Sequence, residues 1–302
     1  MLDGSGSGPV LAVAGPGPPA GNIVIRSLTI TGGWSEEETT NAAAIEATFA
    51  DELTVEDVVV QGNNGFWATI GASMVGSSSF VDVTVRGNTS EGVGGMLLGT
   101  AQLTRVVIEE NTGHTAGGAW LICCGLGDVT ADWDTLIRDN TANLAGGVYV
   151  DGGRQWTGGQ IVDNTSTGGG GGLIVSNGSS LSDAIVTGNT AVFGGGIDMF
   201  GDGTVTRTLI SGNSAVQGGG GISSWGAWTS ALVDSAITEN NAPSGGGIYL
   251  FASSAIACTN CDLGEGDLDN TPDDVAFENG LAYDDFGGSE TFTCDADLGT
   301  CQ

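Results

Sequence analysis

Residues 137–173 read IRDNTANLAGGVYVDGGRQWTGGQIVDNTSTGGGGGL, and this stretch decides the fold. It holds two copies of one pattern, in which an isoleucine is followed three residues later by an asparagine, at Asn140 and again at Asn164. In each copy a Gly-Gly pair then precedes an apolar residue, at Val148 and at Leu173. Because the two asparagines are 24 residues apart, the pattern predicts a chain built of stacked repeats.

The asparagine pattern recurs through most of the chain with an average spacing close to 25 residues. Its asparagines are Asn63, Asn88, Asn111, Asn140, Asn164, Asn189, Asn213 and Asn240. An Ile or Val lies three residues before every one of them, which indicates a buried strand position that stacks from repeat to repeat. A leucine-rich repeat of this length would need a Leu-rich consensus, and none is present. We therefore predict an all-β fold, a single parallel β-helix of about nine coils, and the resemblance described below implies that it is right-handed.

The polar and glycine positions of the repeat have structural explanations. The asparagine side chains are expected to bond from coil to coil, at corners where asparagine tolerates the left-handed conformation. The Gly-Gly pairs predict tight corners with positive φ. An Asp-rich column lies six residues before the asparagines and also contains Arg105 and Arg207. We interpret its aspartates as turn residues and its arginines as relief of repulsion between like charges.

The alternation of GG[AI]-type and [IV]xxN phrases resembles the repeats of secreted bacterial right-handed parallel β-helix proteins. It is similar to the polymorphic outer-membrane protein repeats, which pair GGA[IV] with FxxN, although this chain has Ile or Val in place of Phe. The resemblance covers about residues 2–257 and implies the β-helix fold. It implies no single function, because lyases, hydrolases, adhesins and passive stalks share this fold.

Composition excludes several classes of partner. The 302 residues include 36 acidic and 6 basic residues, the latter all Arg, for a formal net charge of −30. Nucleic-acid binding and docking on an anionic membrane are excluded, because both need clustered Lys and Arg. No apolar run is long enough to cross a membrane as a helix, so we predict no membrane insertion. We expect a monomer.

The two ends of the chain are predicted to differ. The first residues resemble part of a coil and carry no secretory signal, so we interpret the chain as a fragment that starts within a solenoid. Residues 1–257 are predicted to form the β-helix, and residues 258–302 the C-terminal coil and cap. A cap is expected because the last coil would otherwise expose its strand edges and core. Five apolar residues are candidates to plug that end: Phe277, Leu281, Tyr283, Phe286 and Phe292.

Four of the six cysteines lie in the predicted cap. Two local disulfides, Cys258–Cys261 and Cys294–Cys301, are favoured over a zinc site because the acidic, Lys-free composition fits a secreted protein. Other pairings of these four cysteines stay open. The adjacent Cys123 and Cys124 form either a vicinal disulfide, buried thiols or pairs outside this chain. The predicted location is extracellular or on the outer cell surface.

The densest acidic stretch is DLGEGDLDNTPDDV, which begins at residue 262. Its candidate calcium ligands are Asp262, Glu265, Asp267, Asp269, Asn270, Asp273 and Asp274. Calcium prefers six to eight oxygen ligands in flexible geometry, although the spacing is not that of an EF-hand. A solvated acidic loop that protects the end of the solenoid is the alternative. No other cofactor is predicted.

Binding residues are easier to propose than catalytic ones. Trp120 and Tyr149 each follow the apolar residue after a Gly-Gly pair, and strand alternation turns them outward, where they suit sugar rings. Trp225 and Trp228, in a predicted variable loop, are further candidates, and packing between loops is the alternative for all four. No catalytic residues are assigned, because Lys is absent and the sole His, His114, lacks the neighbours of the known hydrolase motifs.

These observations predict a non-catalytic secreted or cell-surface β-helix module, structural or adhesive, that binds glycans or cell-surface components. The alternative is a carbohydrate-active enzyme, a polysaccharide lyase or glycoside hydrolase of the β-helix type. Such an enzyme would show a groove with at least three converging carboxylates, or with an Arg and a carboxylate. An acidic surface repels polyuronates, so the expected glycan is neutral or is bound through calcium.

Overall fold

The computed structural model describes residues 1–6, 8–14, 21–35, 42–122, 127–283, 289–296, 298 and 300–302. In this part of the chain, parallel strands stack into a β-solenoid of about ten turns. The predicted all-β parallel fold is therefore confirmed, and Asn270 marks a turn that the count of nine did not include. The described residues contain one short 3₁₀ helix, Gly266–Leu268, and no helix with the length and hydropathy of a membrane span.

The largest sheet, here called sheet A, contains 19 strands of the described chain. In each of the first full turns one long strand crosses this sheet, in the turns between Ala101 and Thr238 it is divided into two short ones, and Ala255–Asp262 is again one strand. The strands are Leu2–Asp3, Asn22–Thr31, Glu52–Gln61, Ser77–Arg86, Ala101–Thr104, Val107–Glu109, Val129–Ala131, Leu136–Arg138, Gln155–Thr157, Gln160–Val162, Ser180–Ser182, Ile185–Thr187, Thr204–Thr206, Leu209–Ser211, Thr229–Val233, Ala236–Thr238, Ala255–Asp262, Ser289–Asp295 and Thr300–Cys301.

The second sheet, sheet B, contains 12 strands of the described chain and forms the opposite wall of the core. Its strands are Leu11–Ala14, Ala42–Thr48, Ala68–Met74, Val93–Leu98, Ala119–Leu121, Val148–Val150, Leu173–Ser176, Ile197–Phe200, Ile222–Trp225, Ile248–Leu250, Val275–Phe277 and Ala282–Tyr283. Two small sheets lie at the corners between them. Their strands are Thr141–Ala142, Thr165–Ser166, Thr190–Phe193 and Ser214–Gly218 in one, and Asn64–Gly65 and Thr89–Ser90 in the other.

The core is built of like residues stacked on like. The Ile or Val that lies three residues before each asparagine is buried in every turn, and consecutive copies such as Ile137, Ile161 and Val186 are direct partners in sheet A. From sheet B, Val148, Leu173 and Ile197 are partners in the same way and face the same core. Because each buried aliphatic column continues through successive turns, the hydrophobic core runs the length of the solenoid.

The left-handed backbone positions differ from those expected. Positive φ falls on the residue immediately before each ladder asparagine: Gly62, Gly87, Glu110, Asp139, Asp163, Gly188, Gly212 and Glu239. The prediction that the asparagines themselves take this conformation is wrong, because the preceding residue turns the chain and leaves the asparagine side chain free to point into the buried corner. The Asp-rich column does supply turn residues, since Asp57, Asp82 and Asp183 all have positive φ.

The Gly-Gly pairs also have a different explanation from the predicted one. Gly146 and Gly147 lie outside the left-handed region, as do the equivalent pairs of other turns. A Cβ atom on Gly147 would lie 2.5 Å from the carbonyl oxygen of Gly172 in the next turn, and one on Gly172 would lie 2.7 Å from that of Gly196. Glycine is therefore required here by the close approach of successive backbones and not by φ.

The parallel stacking ends at Val275–Phe277, and antiparallel strands follow. Ser289–Asp295 pairs with Ala255–Asp262, and both predicted disulfides, Cys258–Cys261 and Cys294–Cys301, are present in this region. Of the expected plug residues, Phe277 and Phe292 are buried and Tyr283 packs against the core, whereas Leu281 is 50% exposed. Phe286 lies outside the described residues, as do Cys123 and Cys124.

Candidate functional site

The eight predicted ladder asparagines lie in one buried column at a corner of the solenoid. The amide Nδ2 of each donates to Oδ1 of the next, as from Asn140 to Asn164 at 3.0 Å and from Asn164 to Asn189 at 3.0 Å. The same Oδ1 also accepts the backbone N–H of the preceding asparagine, at 3.1 Å for Asn140 and 2.9 Å for Asn164. Each side chain thus satisfies buried polar groups of two neighbouring turns, which is a structural role.

The ladder continues into the acidic stretch that was predicted to bind calcium. Asn240 donates to Oδ1 of Asn270 at 3.0 Å, and Asn270 donates to Oδ1 of the buried Asp274 at 3.0 Å. Both predicted ligands therefore take part in hydrogen bonds of the solenoid. Asp262 and Glu265 are exposed, and the side chain of Asp267 lies outside the described residues. No group of three or more His, Cys, Asp or Glu side chains in the described chain is placed to hold a metal, and calcium binding by this loop stays a prediction.

The residues of sheet B that point away from the main core include a run of aromatic side chains, here called the aromatic face. Leu97, Ile174, Asp198 and Ser223 on this side of the sheet are buried. Trp120 and Tyr149 are partly buried and pack against a second hydrophobic cluster that contains Ala116, Ala145 and Ile174. Strand alternation buries Ala119 and Leu121 in the core and turns Trp120 outward, in register with Tyr149 of the next turn. The two half-buried rings are stacked, with centroids 5.7 Å apart and planes 8° apart. The same column runs through consecutive partners: Leu97, Trp120, Tyr149, Ile174, Asp198, Ser223 and Tyr249.

A second outward column lies two residues further along each strand. It includes Ser176, Phe200 and Trp225, which are direct partners, followed by Phe251 in the next turn. The Phe200 and Trp225 rings are stacked with centroids 5.8 Å apart and planes 2° apart, and Phe193 packs edge-on against Trp225 at 5.5 Å. Trp225 is the last residue of the sheet B strand Ile222–Trp225. The prediction that it lies in a variable loop is therefore wrong.

One buried carboxyl group lies within the aromatic face. Asp198 is 2% exposed, accepts a hydrogen bond from Ser223, and packs so closely on Gly169 that a side chain there would collide with it. Burial raises the pKa of Asp198 from 3.8 to about 7, which the Ser223 hydroxyl and the nearby indole of Trp225 partly oppose. The Trp225 Nε1 is buried without a hydrogen bond of good geometry, as is Nε1 of Trp120.

The loops that leave sheet B line one edge of the aromatic face. Asp151 follows one strand, Asn177 the next, and Asp202 and Trp228 the two after that. Oδ1 of Asp151 accepts hydrogen bonds from Ser176 Oγ at 2.8 Å and from Asn177 Nδ2 at 2.7 Å. These side chains place polar groups beside exposed aromatic rings.

Arginines form ion pairs from turn to turn on sheet A. Arg105 donates to both carboxylate oxygens of Asp82, at 2.6 and 2.7 Å, and Arg207 does the same to Asp183, at 2.7 Å for both bonds. These hydrogen bonds hold the pKa of Asp82 and of Asp183 below the usual range. The arginines therefore neutralise part of the acidic column in neighbouring turns. His114 is exposed in a corner segment.

Sequence reasoning found Trp120, Tyr149, Trp225 and Trp228, and the structure brings the first three onto one sheet face. It missed Phe193, Phe200, Asp198 and the Asp151–Asn177 pair. The register of the repeat contained a signal for some of these residues, since Phe200 and Trp225 both lie three residues after the apolar residue that follows a Gly-Gly pair.

Comparison with known proteins yields no matching family model, no matching curated protein and no matching solved structure. The two disulfides suggest a non-cytoplasmic environment.

Proposed function

We propose that this chain is a non-catalytic module of an extracellular or cell-surface protein and that it binds neutral glycans on the aromatic face. The observation that supports this most is the presence of two stacks of parallel rings, Trp120–Tyr149 and Phe200–Trp225, on one face of sheet B. Sugar rings present apolar C–H faces that pack on aromatic rings, and their hydroxyls need polar partners beside those rings.

The charge of the chain supports a neutral ligand. A formal net charge of −30 repels uronate and sulfated polymers, whereas it leaves neutral polysaccharides unaffected. The extracellular location rests on the two disulfides and on the resemblance of the repeat to those of secreted bacterial β-helix proteins. A rigid solenoid suits this role, because it presents its side chains at regular intervals along one axis.

The test is affinity electrophoresis against neutral polysaccharides (a β-glucan, a mannan and a xylan) with polygalacturonate as the anionic comparison, each with and without calcium. We expect retardation by at least one neutral polymer and none by polygalacturonate without calcium. Trp120→Ala should weaken this retardation, whereas Trp133→Ala, which removes an exposed ring beyond a strand of sheet A, should not.

Failure of every neutral polymer to retard the chain would contradict the proposal, and so would an equal loss in the two variants. Chain-length analysis of the bound polymer after prolonged incubation separates a binding module from the enzyme alternative. We expect an unchanged length distribution, and shortening would favour a lyase or hydrolase.

A further inference from the structure

Three polar side chains form a row along one edge of the aromatic face. Asp151, Asn177 and Asp202 come from loops of successive turns, which are separated by about 4.8 Å in a parallel stack. Asp151 and Asn177 are joined by the 2.7 Å hydrogen bond from the amide to the carboxylate. Oδ1 of Asp202 lies 3.6 Å from the position that a Cβ atom on Gly178 would occupy, so its carboxylate packs on the loop that carries Asn177.

Two exposed aromatic rings flank this row. Phe200 is 43% exposed although Trp225 covers one side of its ring. Its register partner on the other side is Ser176, whose side chain is too small to cover a ring. Trp228 is 61% exposed, and its Cδ1 lies 4.0 Å from the position that a Cβ atom on Gly201 would occupy.

The loop backbone holds these groups in defined positions. Asn177 has a φ of 53°, Gly201 of 89° and Gly226 of 92°, so each loop makes its turn at a left-handed residue close to the polar row. The turns are short, and the hydrogen bond from Asn177 to Asp151 links two neighbouring loops. Such a preorganised set of donors and acceptors loses little entropy when it binds a ligand.

From this geometry we infer that Asp151, Asn177, Asp202, Phe200 and Trp228 form a subsite for one pyranose ring of a neutral polysaccharide. The inference rests on the proposed function and deepens it. The apolar face of the sugar packs on the Phe200 ring, and Trp228 closes one end of the site. The carboxylates accept hydrogen bonds from the sugar hydroxyls, and the Asn177 amide offers both donor and acceptor groups.

The subsite also determines the direction in which the bound polysaccharide runs and the type of sugar that it accepts. By the register of the strands Asp151 is aligned with Ser176 and Phe200, so Asn177 and Asp202 lie one and two residues further along and the row crosses the turns obliquely. A polysaccharide that follows the row towards Asp151 reaches Tyr149, two residues before Asp151, with its next units. Two carboxylates within one site repel a uronate carboxylate, which selects neutral sugars over acidic ones.

The test is isothermal titration calorimetry with a neutral oligosaccharide prepared from the polymer that binds in the electrophoresis. Phe200→Ala and Trp228→Ala should each lower the affinity at least tenfold, and Asp151→Asn should lower it severalfold. Trp133→Ala is the matched control, because Trp133 is also 61% exposed, and its affinity should equal that of the wild type. Asn177→Gly removes the amide without strain at positive φ and should weaken binding as well.

The outcomes separate the subsite from the proposed function. One outcome is that the oligosaccharide binds, that Trp120→Ala weakens binding, and that Phe200→Ala and Trp228→Ala do not. In that case the subsite is wrong and the proposed function stands. If no neutral glycan binds the wild type, both are overturned. If Phe200→Ala changes the melting temperature, its lower affinity has a second explanation, and the Asn177→Gly variant at an exposed position is used instead. An unchanged affinity of Asn177→Gly contradicts the subsite.

Discussion

Replacement of Asn164 by Ala should destabilise the middle of the solenoid by about 2–6 kcal/mol. The change removes four hydrogen bonds: two that Asn164 Nδ2 donates, to Ile137 O at 2.9 Å and to Asn189 Oδ1 at 3.0 Å, and two that its Oδ1 accepts from Asn140. The Asn140 amide and the Asn189 oxygen keep other partners, whereas the buried backbone N–H of Asn140 loses its acceptor and the Ile137 carbonyl loses this donor. An unsatisfied buried group costs about 1–3 kcal/mol, which gives the stated range for two such groups.

Two measurements check this value. Urea denaturation followed by tryptophan fluorescence should show a lower midpoint, and hydrogen exchange at the Asn140 amide should become faster. Thr165→Ala is the matched control, because the neighbouring Thr165 is exposed and should change stability by less than about 0.5 kcal/mol. Equal effects of the two variants would refute the view that the ladder satisfies buried polar groups.

Three further perturbations follow from the structure. Burial favours the neutral form of Asp198, so the folded protein binds an extra proton between pH 3.8 and about 7, and stability should fall as pH rises through that window. In thermal melts Asp198→Asn should remove this part of the pH dependence, whereas the exposed Asp202→Asn should not. Gly147→Ala places a Cβ atom 2.5 Å from the Gly172 carbonyl and should cost roughly 1–3 kcal/mol in the same denaturation assay. Reduction of the two disulfides should increase hydrogen exchange in residues 289–295 before the parallel turns are affected, and uniform exchange along the chain would argue against separate stabilisation of this end.

The solenoid could be predicted because its signals repeat. Ile137, Ile161 and Val186 occupy the same position in consecutive repeats, and a buried β-branched residue at a constant spacing has few structural explanations other than stacked parallel strands. The asparagine column was equally visible, since a polar residue at an otherwise constant corner needs a partner in the next turn. Each of these inferences rests on many copies of the same repeat.

The backbone details were less predictable, because two physical causes require the same residue. Glycine is found both where the backbone has a positive φ and where two backbone segments approach each other closely. The sequence alone does not distinguish these two causes. Gly147 is required by the carbonyl of Gly172, whereas Gly188 has a φ of 67°. Glu110 and Asp139 also have positive φ, which shows that charged residues occupy left-handed positions where the corner turns toward solvent.

The aromatic face was only partly predictable, because its residues belong to different repeats and are not constant. Trp120 and Tyr149 were found through strand alternation. Phe200 and Asp198 were not, because the residue type at their positions changes from turn to turn. The partners of Phe200 are Ser176 and Trp225, and those of Asp198 are Ile174 and Ser223. Positions at which the residue type differs in every turn leave no periodic signal in the sequence.

The central claim is that the aromatic face binds a neutral glycan, and indole N–H NMR during titration with a neutral oligosaccharide tests it most directly. The chain contains seven tryptophans, so one spectrum reports on seven places at once. The account predicts that the Trp120, Trp225 and Trp228 signals shift with a common affinity, whereas the buried core residue Trp156 and the exposed Trp133 stay unchanged. Shifts confined to tryptophans outside the aromatic face, or no shift with any neutral oligosaccharide, would contradict it.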